Sequence, residues 1–123
     1  MDGRDDLTER IIGCAIDVHR VLGPGLLESI YRRALAVEFA HRGVEFERER
    51  AVGVTYRGVV LGEFRPDFVV NDRVVVEVKC ASAHDRVFDA QVLTYMRLTR
   101  LNTGLLVNFG RPVLKDGLKR FKL

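Results

Sequence analysis

The sequence predicts an α/β fold, α+β-like in its chain order, with helices flanking a central mixed sheet. Three observations predict it. Two segments of helical periodicity open the chain. The pattern then switches to alternating and continuous β-branched runs. A capped amphipathic helix separates the last of these runs from the others.

The elements follow in order. Asp6 and Glu9 fit a capping box, with Asp6 as N-cap. Behind it, Leu7, Ile11, Cys14, Ala15, Val18 and Leu22 recur on one helical face. Gly23-Pro24-Gly25 breaks that helix. A second helix is expected from Leu26 to His41, with Leu27, Ile30, Ala34, Leu35 and Val37 as its buried stripe, and Arg42-Gly43 ending it. Val44 to Tyr56 alternates as a strand does, and Arg57-Gly58 makes a tight turn. Val59 to Val70 returns as a second strand, and Asn71-Asp72 turns into a third, Val74 to Lys79. These three strands are expected to form an antiparallel meander. Ser82-x-x-Asp85 caps a helix from Ala83 to Thr99. Thr103 to Phe109 follows that crossover, so it should lie parallel to Val74–Lys79. Gly110-Arg111-Pro112 turns, and Leu118 to Leu123 suits a short basic edge strand.

A chain of 123 residues fits one domain, here 1–123. With 47% hydrophobic and 30% charged residues it should fold as a globule rather than remain disordered. The net charge of +3 permits a polyanionic partner without demonstrating one. Cys14 and Cys80 have no zinc-ligand spacing and suit ordinary reduced residues. No apolar run approaches the ~20 residues that span a membrane. The first residues lack the basic and apolar parts of a secretory signal, so a cytoplasmic location is expected.

The chemistry concentrates on Asp67, Glu77 and Lys79. On a strand, Glu77 and Lys79 point to one face, and Val76 and Val78 to the other. The turn at Asn71-Asp72 folds Asp67 next to Glu77 or diagonally across from it. Two carboxylates ~4 Å apart repel by about 4 kcal/mol at an effective dielectric near 20. A bound Mg²⁺ removes that cost, since it prefers carboxylate oxygens and keeps several waters. Lys79 would then steer water or stabilise charge on a phosphate, and the Val78 carbonyl is a neutral candidate ligand. The plainer alternative is a pair of surface acids with Lys79 as ion-pair partner. Gln91 and Tyr95, at i and i+4, share a helix face that either meets the cleft or forms a polar edge. Glu28 is either the solvent side of the second helix or a third acidic ligand.

These residues resemble a known family. Gly25-Leu26-Leu27-Glu28-Ser29-Ile30-Tyr31 is similar to the signature of the GxxExxY proteins, small members of the PD-(D/E)xK nuclease-like superfamily. Pro66-Asp67, Glu77-Val78-Lys79 and Gln91-x-x-x-Tyr95 resemble that superfamily's core motif with the glutamine-tyrosine pair of its RecB-like branch. The resemblance spans Leu7 to Leu123 and implies a restriction-endonuclease-like fold. It implies a Mg²⁺-dependent phosphodiesterase centre, with Mn²⁺ as a substitute metal. Glu28, Asp67 and Glu77 would be the acidic ligands, Lys79 the catalytic lysine, and Gln91 and Tyr95 substrate-side residues. The partner would be nucleic acid, DNA before RNA. Two other readings stay open: a nucleic-acid or protein-binding module that keeps the architecture without turnover, and a structure-selective junction resolvase working as a homodimer.

Other candidates are weaker. His84 follows Lys79 closely enough to approach a cleft. Gly23-Pro24-Gly25 lacks the pattern of a phosphate-binding loop. Arg32, Arg33, Arg48, Arg50, Arg97, Arg100, Lys115, Lys119, Arg120 and Lys122 include candidates for a phosphate track, densest toward the C-terminus.

Overall fold

The computed structural model describes residues 6–123. Helix α1 (Asp6–Leu22) and helix α2 (Glu28–His41) are followed by strands β1 (Phe46–Arg48), β2 (Val52–Tyr56), β3 (Val59–Phe64), β4 (Phe68–Val70) and β5 (Val74–Lys79). Helix α3 (Arg86–Thr99), strand β6 (Thr103–Asn108), a 3-10 turn (Leu114–Gly117) and strand β7 (Leu118–Lys122) complete the chain. Strands β1-β4-β5-β6-β7 form a five-stranded mixed sheet, and β2 and β3 form a separate ribbon. Among the described residues only β5 and β6, joined through α3, run parallel.

Side-chain alternation on β5 divides the molecule into layers. Val74, Val76 and Val78 enter the core shared with α1 and α2. Val75 points the other way, into a smaller core with Val92 and Met96 of α3, Leu106 and Phe121. Glu77 and Lys79 therefore share the α3 face. Helix α3 comes close enough to β6 that a Cβ at Gly104 would meet Met96 Sδ at 2.6 Å.

Several expected boundaries move. Each of the two long strands predicted over 44–56 and 59–70 is split. Glu49 adopts a φ of 53°, which ends β1 and turns the chain out of the sheet. Pro66 has no N–H to donate and lies buried between β3 and β4. The three-strand meander is thus replaced by β1-β4-β5 in the sheet plus an outlying β2–β3 ribbon. The Asn71-Asp72 turn holds, with φ of 50° and 54° at its two central residues, the signature of a tight hairpin turn.

The stripe of α2 is also rotated. Tyr31, Leu35 and Phe39 are buried, whereas Leu27, Ile30 and Val37 are exposed. Two aromatic rings bury more area than the aliphatic alternative, and the Tyr31 hydroxyl finds partners inside. Helix α2 begins at Glu28, two residues later than expected. Asp6 is already helical in α1 rather than capping it. The cap of α3 is Asp85, whose carboxylate accepts from the Val87 amide at 2.9 Å, and not Ser82. Strand β7 is the expected basic edge. No helix among the described residues is long and apolar enough to cross a membrane.

Candidate active site

The β4–β5 register pairs Phe68 with Val76 and Val69 with Val75. One further step sets Asp67 opposite Glu77, but there the ladder stops. The Asp67 amide donates to Glu77 Oε1 at 2.8 Å, and the Val78 amide donates to Asp67 Oδ2 at 2.8 Å. Side chains thus take over the bonds that a strand partner would make. The N–H and C=O of one strand residue leave on the same side. The Val78 carbonyl therefore also faces the Asp67 side, beyond the last β4 pair.

Both acids are removed from water. Glu77 is 4% exposed. Its carboxyl is pushed up to about 8, first by burial and then by the Asp67 charge; the Asp67 amide and Lys79 oppose the rise. Burial also raises the Asp67 carboxyl, against the Val78 amide and Arg32. Two desolvated acids facing one another fit a cation, because a positive ion relieves both causes at once. Each has one oxygen committed to a backbone amide and one, Asp67 Oδ1 or Glu77 Oε2, outside those bonds. Mg²⁺ is commonly held through one or two carboxylates plus waters. Asp67 and Glu77, with the Val78 carbonyl, match that donor set.

Glu28 approaches from α2 but is not gathered onto the other two. Among the described residues no three His, Cys, Asp or Glu side chains are grouped to hold a metal ion. Arg32 intervenes: its guanidinium is 2.7 Å from Glu28 Oε2 and 3.8 Å from Asp67 Oδ1. Glu28 is close enough for its charge to push Asp67 and Glu77 up. The helix end that carries it is fastened by Tyr31, fully buried and stacked on Phe109 with centroids 4.7 Å apart. The Tyr31 hydroxyl donates to the Gly23 carbonyl and accepts from the Leu26 amide. Gly25 has a φ of 108°, which side-chain-bearing residues rarely adopt. The Cys80 thiol donates to the Leu26 carbonyl at 3.2 Å, tying the same loop to the end of β5.

Lys79 leaves β5 on the Glu77 face, its Nζ 5.3 Å from the centre of the Phe88 ring. Its charge lowers both acids. Tyr95 belongs to the same neighbourhood. Burial raises its hydroxyl, the Glu77 charge adds to the rise, and the Gln91 side chain counters it. Phe64 stacks on the Tyr95 ring at 4.6 Å, so the β2–β3 ribbon forms one wall. Asn108, beside Lys79 in the β5–β6 register, accepts from the Ala81 and Gly110 amides at 2.9 and 3.0 Å and locks the loop after Lys79.

A model of the PD-(D/E)XK nuclease superfamily matches residues 5–121. The chain belongs to the PD-(D/E)XK nuclease superfamily. No curated protein and no solved structure matches the chain. The two segments that resemble the superfamily's motif in the sequence, Pro66-Asp67 and Glu77-Val78-Lys79, are joined by the paired hydrogen bonds above.

Other expected contributors are engaged with partners of their own. His84 pairs with Asp89 at 3.0 Å, as does Lys119. Lys122 donates to Thr103 at 2.9 Å, and Arg120 lies 3.8 Å from Glu9. Most of the C-terminal basic group is therefore engaged within the chain. Sequence reasoning listed Arg32 only for a phosphate track; Phe64 and Asn108 are the site residues that it did not single out. Their contacts join distant segments, and no local spacing announces them.

Proposed function

We propose that the protein is a Mg²⁺-dependent nuclease that hydrolyses phosphodiester bonds of DNA, with RNA as the alternative substrate. The observation that carries this reading is the desolvated Asp67–Glu77 pair, with Lys79 on the same face. Membership of the PD-(D/E)XK nuclease superfamily supports it. The Gly25-x-x-Glu28-x-x-Tyr31 segment supports a place among the GxxExxY proteins.

In this reading Asp67, Glu77 and the Val78 carbonyl would hold the cation, and Glu28, now paired with Arg32, would be the further acidic ligand. An ion held there would supply Lewis acidity and a water of lowered pKa. Glu77 would bind the ion as its carboxylate. The Lys79 ammonium stabilises charge growing on the phosphate oxygens. Gln91 and Tyr95 orient the strand by hydrogen bonds to its backbone, which carry little sequence information.

The test is cleavage of single-stranded, duplex and branched DNA and of RNA, with Mg²⁺, Mn²⁺ or EDTA. The wild type should cut only with metal. Asp67→Asn and Lys79→Ala should stay folded and lose at least about a hundredfold in rate. Retained cleavage in both variants would refute the assignment. Preferential cutting of branched DNA by a dimer would narrow it to a junction resolvase.

A further inference from the structure

Arg32 has a place in this site that its i, i+4 spacing from Glu28 does not convey. Such helical pairs are common on surfaces and contribute little. Here the same guanidinium nitrogen reaches two acids on different elements, Glu28 at 2.7 Å and Asp67 at 3.8 Å. The Arg32 side chain is 26% exposed and that of Asp67 15%, so the contact is shielded from water on the Asp67 side. The Asp67 atom involved is Oδ1, the oxygen that the Val78 amide leaves free. Arg32 is therefore bonded to Glu28 and lies beside the Asp67 oxygen that a divalent ion would need.

We infer that Arg32 is a positioning residue, a resident counter-cation that a divalent ion must displace from Glu28 and Asp67. This rests on reading Asp67 and Glu77 as a metal site. Without metal, Arg32 neutralises acids that would otherwise repel across the gap between α2 and β4. With metal, the two cations compete for the same oxygens, so Arg32 weakens metal binding. Release of Arg32 also frees Glu28 to turn toward the ion, completing the three-acid set that is not assembled here.

The experiment measures metal affinity rather than turnover. The full chain is titrated with Mn²⁺ by electron paramagnetic resonance of the free ion, near pH 8 and in ~0.15 M salt, where long-range charge effects are screened. Arg32→Gln should bind Mn²⁺ about tenfold more tightly than wild type. Arg32→Lys keeps the charge and should stay closer to wild type. Arg33→Gln is the control: Arg33 is exposed and loses the same formal charge, so its affinity should change by no more than about twofold. A role in folding alone would weaken binding in Arg32→Gln, not tighten it.

Binding by Arg32→Gln with none by wild type would support the inference in its strongest form. If wild type binds Mn²⁺ and Arg32→Gln binds no tighter, the inference fails while the metal site stands. Equal tightening in Arg33→Gln would also overturn it, as a general charge effect. If no form binds Mn²⁺, the metal reading fails and takes the inference with it. A readout on the wild type alone guards against a variant that does not fold. The Arg32 Nε–H resonance should show a freed side chain as Mg²⁺ saturates, and an unchanged resonance would count against displacement.

Discussion

Glu28 and Tyr31 are three residues apart on one helix and meet opposite surroundings. Tyr31 is fully buried and fastens the loop before the helix; Glu28 emerges at the helix start beside the acids of the sheet. The shared segment therefore divides its work: Gly25 permits the turn, Tyr31 holds it, and Glu28 is what it presents. Tyr31→Phe should keep the stacking on Phe109 and lose both hydrogen bonds to the loop, which costs about 1 kcal/mol in urea unfolding. Unchanged stability would mean that the loop is held elsewhere. At this scale the sequence was informative about Asp67, Glu77 and Lys79, because alternation and one hairpin turn are enough to put them on one face. It offered Arg32 only for a phosphate track and did not reveal its contact with Asp67, which lies outside its helix.

The elements differ from expectation where one residue overrules a pattern. Val59 to Val70 alternates well enough for one strand, yet Pro66 breaks the ladder at the point where Asp67 has to turn its carboxylate to the Val78 amide. The interruption is what frees Asp67 from strand pairing, so the misread boundary and the candidate site have the same cause. The stripe of α2 was misread for another reason. Periodicity marks a helix but cannot decide between two apolar faces, and here the face bearing Tyr31 and Phe39 is the one buried. The third strand, the parallel crossover and the basic edge strand were legible, since each rests on a continuous local pattern. Gly25→Ala forces a φ of 108° on a residue with a Cβ. It should cost about 1 kcal/mol or more in unfolding free energy and weaken metal binding through the displaced Glu28. A neutral result in both measurements would show that the loop does not position the helix.

Across the whole molecule, the buried acids tie stability to pH. The Glu77 carboxyl rises from 4.5 to about 8 on folding. Between these values the folded chain keeps a proton that the unfolded chain has lost, so stability falls as pH rises through this window. Asp67 shifts in the same direction. Asp89 and Glu47 are lowered instead, so their effects belong below this window. Urea midpoints in EDTA should therefore decline from about pH 5 to pH 8, and saturating Mg²⁺ should flatten the decline, because the ion takes the place of the proton. A midpoint that rises over this range would contradict the burial of Glu77. Many basic side chains are engaged in internal pairs such as Lys119–Asp89, and the net charge is only +3, so charge totals alone said little about a partner. The most direct test of the central claim is anomalous diffraction from crystals of the full chain soaked in Mn²⁺. A peak bonded to carboxylate oxygens of both Asp67 and Glu77 is the predicted result; strong Mn²⁺ density elsewhere, with none between these two side chains, would contradict it.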